Sequence, residues 1–170
     1  MFFTVERAAF LEAVNKLQRV VGAKTSMPIL EGILISAEQG KATLIAYNLE
    51  MGMKKEIYAK CDKPGDIVIN ARLLADILRR MNGLQVEIEA DEKLNCHIKS
   101  GEATFDIMGM AATDFPEMPS VAEGENLSVD SSLLSEMIKT TIFISSRFIK
   151  PNLILNQKFS LIHFRMHPNI

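Results

Sequence analysis

Residues 1–5 are apolar and β-prone, and from Glu6 the spacing changes, with Phe10, Leu11, Val14, Leu17 and Val21 recurring at threes and fours. A strand therefore feeds a helix, which Gly22 ends and Pro28 forbids to resume. From Ile29 to Met53 the pattern is strand-like: Ile33 and Ile35 alternate, Gln39-Gly40 turns the chain, and Ala42–Tyr47 resumes. Glu56–Lys60 predicts a third strand before the turn at Lys63-Pro64-Gly65-Asp66. The programme restarts at Ile67–Asn70, a β-branched strand whose last residue is a plausible N-cap for a helix over 71–81 with an apolar stripe of Leu73, Leu74, Ile77, Leu78 and Met81. Asn82-Gly83 stops that helix, and strands follow at 85–90, 94–99 and 103–108.

The order βαβββ thus occurs twice within about 110 residues, an internal repeat in pattern rather than in residue identity. The fold class this predicts is α+β, with two helices packed side by side on one face of an antiparallel sheet. Pro116, Pro119 and Gly124 mark a boundary, giving a first domain over 1–119, a linker over 120–126 and a second piece over 127–170. That piece opens with a short strand at 127–129 and a helix capped by Asp130 with Leu133, Leu134, Met137 and Ile138 as its stripe, after which 140–145 is strand-like. Beyond Arg147 the rhythm is lost, so residues 127–170 are expected to be an incomplete start of a second domain with an atypical tail.

Composition excludes several classes. A chain of 170 residues with 48% hydrophobic and 24% charged residues can bury a sizeable core and is not disordered. Its longest run without a charged residue is the eight from Ala42 to Leu49, far short of the roughly 20 that a membrane span needs. Glu6, Arg7 and Glu12 interrupt any apolar export signal, which places the chain in the cytoplasm as an expectation.

Candidate chemistry is sparse. Cys61 and Cys96 lack metal-ligand spacing and suit buried thiols in strands. The histidines at 97, 163 and 167 assemble no nucleophile and base pair, and no phosphate loop is present. Glu87 and Glu89 share a strand face and suit a solvated surface. No catalytic group, metal site or cofactor is therefore expected. The net charge of −2 advertises no polyanion, so any such site depends on how the 19 Lys and Arg are arranged. Arg72, Arg79 and Arg80 lie off the stripe of the second helix, Lys16 and Arg19 off that of the first, and Lys24 just beyond it. These fit either a solvated face or a phosphate track that reads no bases.

Six segments together resemble a known family: Met1–Arg7, Thr25–Leu30, Tyr47–Met51, Ile69–Leu74, Ser100-Gly101 before Ala103–Phe105, and Asp114–Pro119. Their order and spacing are similar to those of the bacterial DNA polymerase III beta subunits, the sliding clamps, over residues 1 to about 143. The resemblance implies a non-enzymatic processivity factor: a ring of two head-to-tail subunits, each of three similar domains, with helices lining the hole around double-stranded DNA. It places Lys24, Arg72 and Arg79 among the DNA-facing basic groups, with Lys16, Arg19 and Arg80 as further candidates on the same faces. It implies DNA polymerase III subunits, a clamp loader and a second clamp subunit as partners. The family's partner cleft lies between its second and third domains, so it is not encoded here, and the chain is expected to be a truncated clamp unable to close a ring. The alternative is a stand-alone protein-interaction module that keeps the clamp domain without the ring.

Overall fold

A computed structural model of the chain describes residues 1–21, 27–118 and 130–148. The chain divides into two compact units, Met1–Met118 and Pro119–Ile170. In the first unit the elements run β1 (Phe2–Glu6), α1 (Arg7–Leu17), β2 (Gly32–Glu38), β3 (Lys41–Tyr47), β4 (Gly52–Lys63), β5 (Gly65–Asn70), α2 (Ala71–Arg80), β6 (Gln85–Ala90), β7 (Asn95–Ser100) and β8 (Ala103–Met108). The α+β class and the duplicated βαβββ order are both present.

All strand pairs are antiparallel, in the order β5-β2-β3-β4-β1-β6-β7-β8. The repeat explains this order, because each half lends its first strand to the other: β1 pairs with β6, and β5 with β2. The long β4 is the hinge of the arrangement. Gly52–Tyr58 pair with β3, and Ala59–Lys63 cross over to pair with β1. The second half reproduces this in reduced form, since the chain just beyond β8 reaches β5 through one bridge in which Met110 donates to the Val68 carbonyl at 2.8 Å and accepts from the Val68 amide at 3.1 Å. Gly109 permits that approach, because a Cβ there would stand 2.5 Å from Ile67 Cδ1.

Alternation assigns the two faces. Ile33, Ile35, Leu44, Ala46, Ile67 and Ile69 point to the helices and are fully buried with Phe10, Val14 and Leu17 of α1 and Leu74 and Leu78 of α2. Leu34, Ile45 and Val68 point the other way, into a smaller cluster closed by Tyr47, Met110, Phe115 and Met118. Phe3 of β1 and Phe10 of α1 meet edge to face, their centroids 6.5 Å apart. Arg7 at the head of α1 donates to the carbonyls of Gly83 at 2.9 Å and Leu78 at 3.4 Å, so a cation sits at the negative end of α2.

Beyond shifts of one to three residues at several ends, the elements differ from expectation in four places. α1 ends at Leu17 instead of running to Val21, because Arg19 and Val20 turn back to the carbonyls of Lys16 and Leu17, three residues earlier. Ile29 lies in a 3-10 turn over Pro28–Glu31, which the fixed φ of Pro28 starts, and not in a strand. β4 begins at Gly52, four residues before the expected strand, because its pairing with β3 carries it through an exposed polar stretch. In the second unit, residues 140–145 are not a strand: they continue the helix α3 (Ser131–Phe148). Its β-branched Thr140 and Thr141 are accommodated by donating their hydroxyls to the carbonyls of Glu136 and Met137, one turn back, at 2.9 and 2.8 Å. Asp130 does cap α3, accepting from the amides of Ser132 and Leu133. The strand expected at 127–129 lies outside the described residues, as does the C-terminal tail.

Candidate nucleic-acid interface

α1 and α2 begin at Arg7 and Ala71, so residues 64 apart occupy equivalent places in the two halves. One contact records the relation: Arg79 donates through Nη2 to Asn15 Oδ1 at 2.7 Å, and these two positions are equivalents. The helices therefore touch across the local pseudo-twofold, and their outward sides form one continuous surface.

Five of the six basic residues expected there lie on this surface, all exposed: Lys16 on α1, Arg19, and Arg72, Arg79 and Arg80 on α2. Arg19 stands in the turn beyond α1 and not on the helix, a consequence of the early end at Leu17. Lys24 lies outside the described residues. The five are not equivalent. Lys16 is 2.6 Å from Glu12, and Arg79 reaches Asp76 at 2.7 Å as well as Asn15, whereas Arg19, Arg72 and Arg80 make no ion pair among the described residues. The carboxyl of Glu12 is held below its usual range chiefly by the Lys16 hydrogen bond and charge, with a further contribution from Lys55.

Two of the arginines without ion pairs, Arg19 and Arg72, share a groove. Asn15, Gln18, Arg19 and Val21 form one wall and Asn70, Ala71 and Arg72 the other, with Glu31 also lining about 400 Å³ of open volume. Asn70 is positioned by its cap, its Oδ1 accepting from the amides of Arg72 and Leu73 at 3.1 Å each. That cap starts α2 where Arg72 leaves the groove wall on the outward side. The surface is suited to a run of phosphates, because its cations are exposed and stand on or next to two packed helices.

Sequence reasoning missed Asn15, Gln18 and Glu31, which reach the groove through tertiary packing alone. It also missed Lys55. Cross-strand register sets Lys55 opposite Leu44 on the helix side of the sheet, close enough for its charge to act on Glu12. Only the strand pairing of β4 reveals that side.

The remaining chemistry is elsewhere. Cys96 is buried, and burial pushes its thiol up to about 12, which leaves it inert. On the opposite sheet face, His97 lies beside Asp106 and across from Glu89, and the Asp106 hydrogen bond raises its pKa. Glu87 and Glu89 are exposed, and in register Glu87 faces Lys99 and Glu89 faces His97. Among the described residues, no three or more His, Cys, Asp or Glu converge as a metal site would require, and no helix is long and apolar enough to cross a membrane.

Comparison with known proteins gives this surface its context. Residues 1–119 match the family of the DNA polymerase III beta subunit, N-terminal domain. The beta sliding clamp of Caulobacter vibrioides is 34% identical over 148 residues, which covers 86% of this chain and 40% of the relative. That of Bacillus subtilis is 28% identical over 155 residues, covering 86% of this chain and 41% of the relative. Among solved structures, a DNA polymerase III beta subunit from Eubacterium rectale superimposes with a TM-score of 0.80 at 31% identity, over 84% of this chain and 39% of its own. The Bacillus subtilis sliding clamp gives 0.81 at 27% identity, over 84% of this chain and 40% of its own. The chain thus spans about two fifths of the length of these relatives. With the duplicated fold and the match across residues 1–119, the chain belongs to the family of bacterial DNA polymerase III beta subunits, through their N-terminal domain.

Proposed function

We propose that this chain supplies the first domain of a sliding clamp, holding duplex DNA against the α1–α2 surface without reading its sequence. Residues 1–119 form that domain, 120–126 the linker, and 127–170 the start of the next. The role is mechanical and not catalytic: the domain keeps DNA polymerase III on its template, with a second clamp subunit, a clamp loader and polymerase subunits as partners. The observation that carries this reading is the common surface on which Arg19, Arg72 and Arg80 stand without ion pairs, flanked by Lys16 and Arg79. Lys24, seven residues beyond the end of α1 in sequence, is assigned to the same set by the family resemblance. Such a surface attracts phosphates by releasing counterions, and its affinity is set by how many phosphates it neutralises.

Fluorescence anisotropy with duplexes of unrelated sequence, over a range of salt, tests this. Affinity is expected to be weak, equal across sequences, and to fall with salt. Reversing charge at Arg19 and Arg72 should flatten the plot of log K against log salt by about 0.9 for each phosphate that the surface no longer neutralises. An unchanged slope, or a marked preference for one sequence, would overturn the reading. Absence of any binding by the wild-type chain would favour a protein-interaction module that keeps the clamp domain without its ring.

A further inference from the structure

The helix surface carries two acids as well as its cations. Glu12 and Asp76 are 64 residues apart, so they hold the same place on α1 and α2. Each is exposed, and each pairs with a base on the next turn of its own helix, Glu12 with Lys16 at 2.6 Å and Asp76 with Arg79 at 2.7 Å. An exposed pair of this kind contributes little to folding, because solvent and salt screen it. Both, however, occupy cations that would otherwise meet phosphate. A carboxylate at 2.6–2.7 Å offers the same charge-assisted hydrogen bond that a phosphate oxygen would.

We infer that Glu12 and Asp76 are resident counter-charges that compete with DNA phosphates for Lys16 and Arg79, holding this surface attractive to DNA but loosely bound. The inference rests on the DNA-holding reading above and deepens it by assigning the acids a task. A duplex passing over the surface exchanges one anionic partner for another, so that no cation is left bare when a phosphate departs. The desolvation and reordering that make a phosphate contact slow to break are thereby reduced at two of the five exposed basic positions. Asn15 assists at Arg79, since its amide oxygen holds the second guanidinium nitrogen at 2.7 Å and keeps the fork turned toward α1. Lys55, whose charge also acts on Glu12, adds a cation at the margin of the same surface.

The test compares Glu12→Gln, Asp76→Asn and the double variant with a charge-matched control, Glu87→Gln with Glu89→Gln, whose exposed side chains alternate with the core residues Val86 and Ile88 and so point away from the helices. Each neutralisation frees one cation, so each should steepen the salt dependence by about 0.9. Between about 200 and about 50 mM salt this multiplies the gain in affinity by roughly threefold for each single variant and about twelvefold for the double, with little change in the control. Lys16→Gln should abolish the effect of Glu12→Gln, and Arg79→Gln that of Asp76→Asn. The inference falls if the control gains as much as the double variant, which would make net charge the cause, or if the single variants bind as the wild type does. If the wild-type chain fails to bind duplex at the lowest salt, the DNA-holding reading itself falls and takes this one with it. A wild type that binds while the variants show no gain overturns the inference alone.

Discussion

Asn70 joins the stability of α2 to its surface chemistry, and two substitutions there should separate them. Its Oδ1 satisfies the amides of Arg72 and Leu73, both at 3.1 Å, in the first turn of a ten-residue helix. Asn70→Ala leaves both amides without that partner, and loss of such a cap costs about 1 kcal/mol, within a range of roughly 0.5–2. For a unit of the size of Met1–Met118 this lowers Tm by about 3–5 °C. Asn70→Asp keeps the acceptor and adds a negative charge at the positive end of the helix, worth about 0.3–1 kcal/mol. Its stability should therefore match or exceed that of the wild type. The same charge enters the groove shared by Arg19 and Arg72 and occupies them as a phosphate would. Asn70→Asp should thus bind duplex DNA more weakly with a flatter salt dependence, while Asn70→Ala binds as the wild type does at temperatures where both are folded. Thermal unfolding and anisotropy on the same three proteins decide it. Equal destabilisation by Asp and Ala would refute the capping argument, and undiminished DNA binding by the stable Asp variant would refute the placement of the groove on the DNA side.

Three further outcomes follow from the packing and the charges. Phe10→Ala empties a fully buried ring site against Phe3 and should cost about 3–5 kcal/mol in urea unfolding with an unchanged m-value. Gly109→Ala drives a methyl to within 2.5 Å of Ile67 Cδ1 and 3.2 Å of the Val68 carbonyl; it should destabilise by about 1–3 kcal/mol and speed amide exchange at Val68 and Met110. His97, raised first by the hydrogen bond to Asp106 and then by the surrounding carboxylates, should titrate above its ordinary value of 6.5 by NMR and fall back toward it in Asp106→Asn. Because the folded pKa is the higher one, the stability it contributes is fully present below the unfolded pKa and is lost as pH rises through the folded pKa.

What was legible in the chain by itself was local and periodic. The spacing of Phe10, Val14 and Leu17 and of Leu74 and Leu78 marked two helices with one buried side each, Asn70 marked the start of α2, and the alternation in 85–108 marked three strands. These features depend on near neighbours, and a residue's period along an element is written in the sequence. The outward position of Lys16, Arg72, Arg79 and Arg80 followed from the same periods. The repeat was legible for the same reason, as the same order of periods met twice. The structure decided the rest. Residues 140–145 continue α3, where Thr140 and Thr141 are accommodated by hydroxyl bonds to the preceding turn, an outcome their β-branched pattern does not announce. Where α1 stops was settled by three-residue back-bonds that carry Arg19 off the helix and into the groove. That β1 and β5 change partners between the halves, that Asn15 meets Arg79 across the pseudo-axis, and that Lys55 faces the helices are facts of pairing between distant residues. No period along one strand encodes its partner or its register, because alternation fixes only which side chains share a face. Hence the cations, and the acids Glu12 and Asp76 one turn away on the same helices, are local features of the chain, while the contact of Asn15 with Arg79 and the groove shared by Arg19 and Arg72 emerged only when the two helices were set side by side.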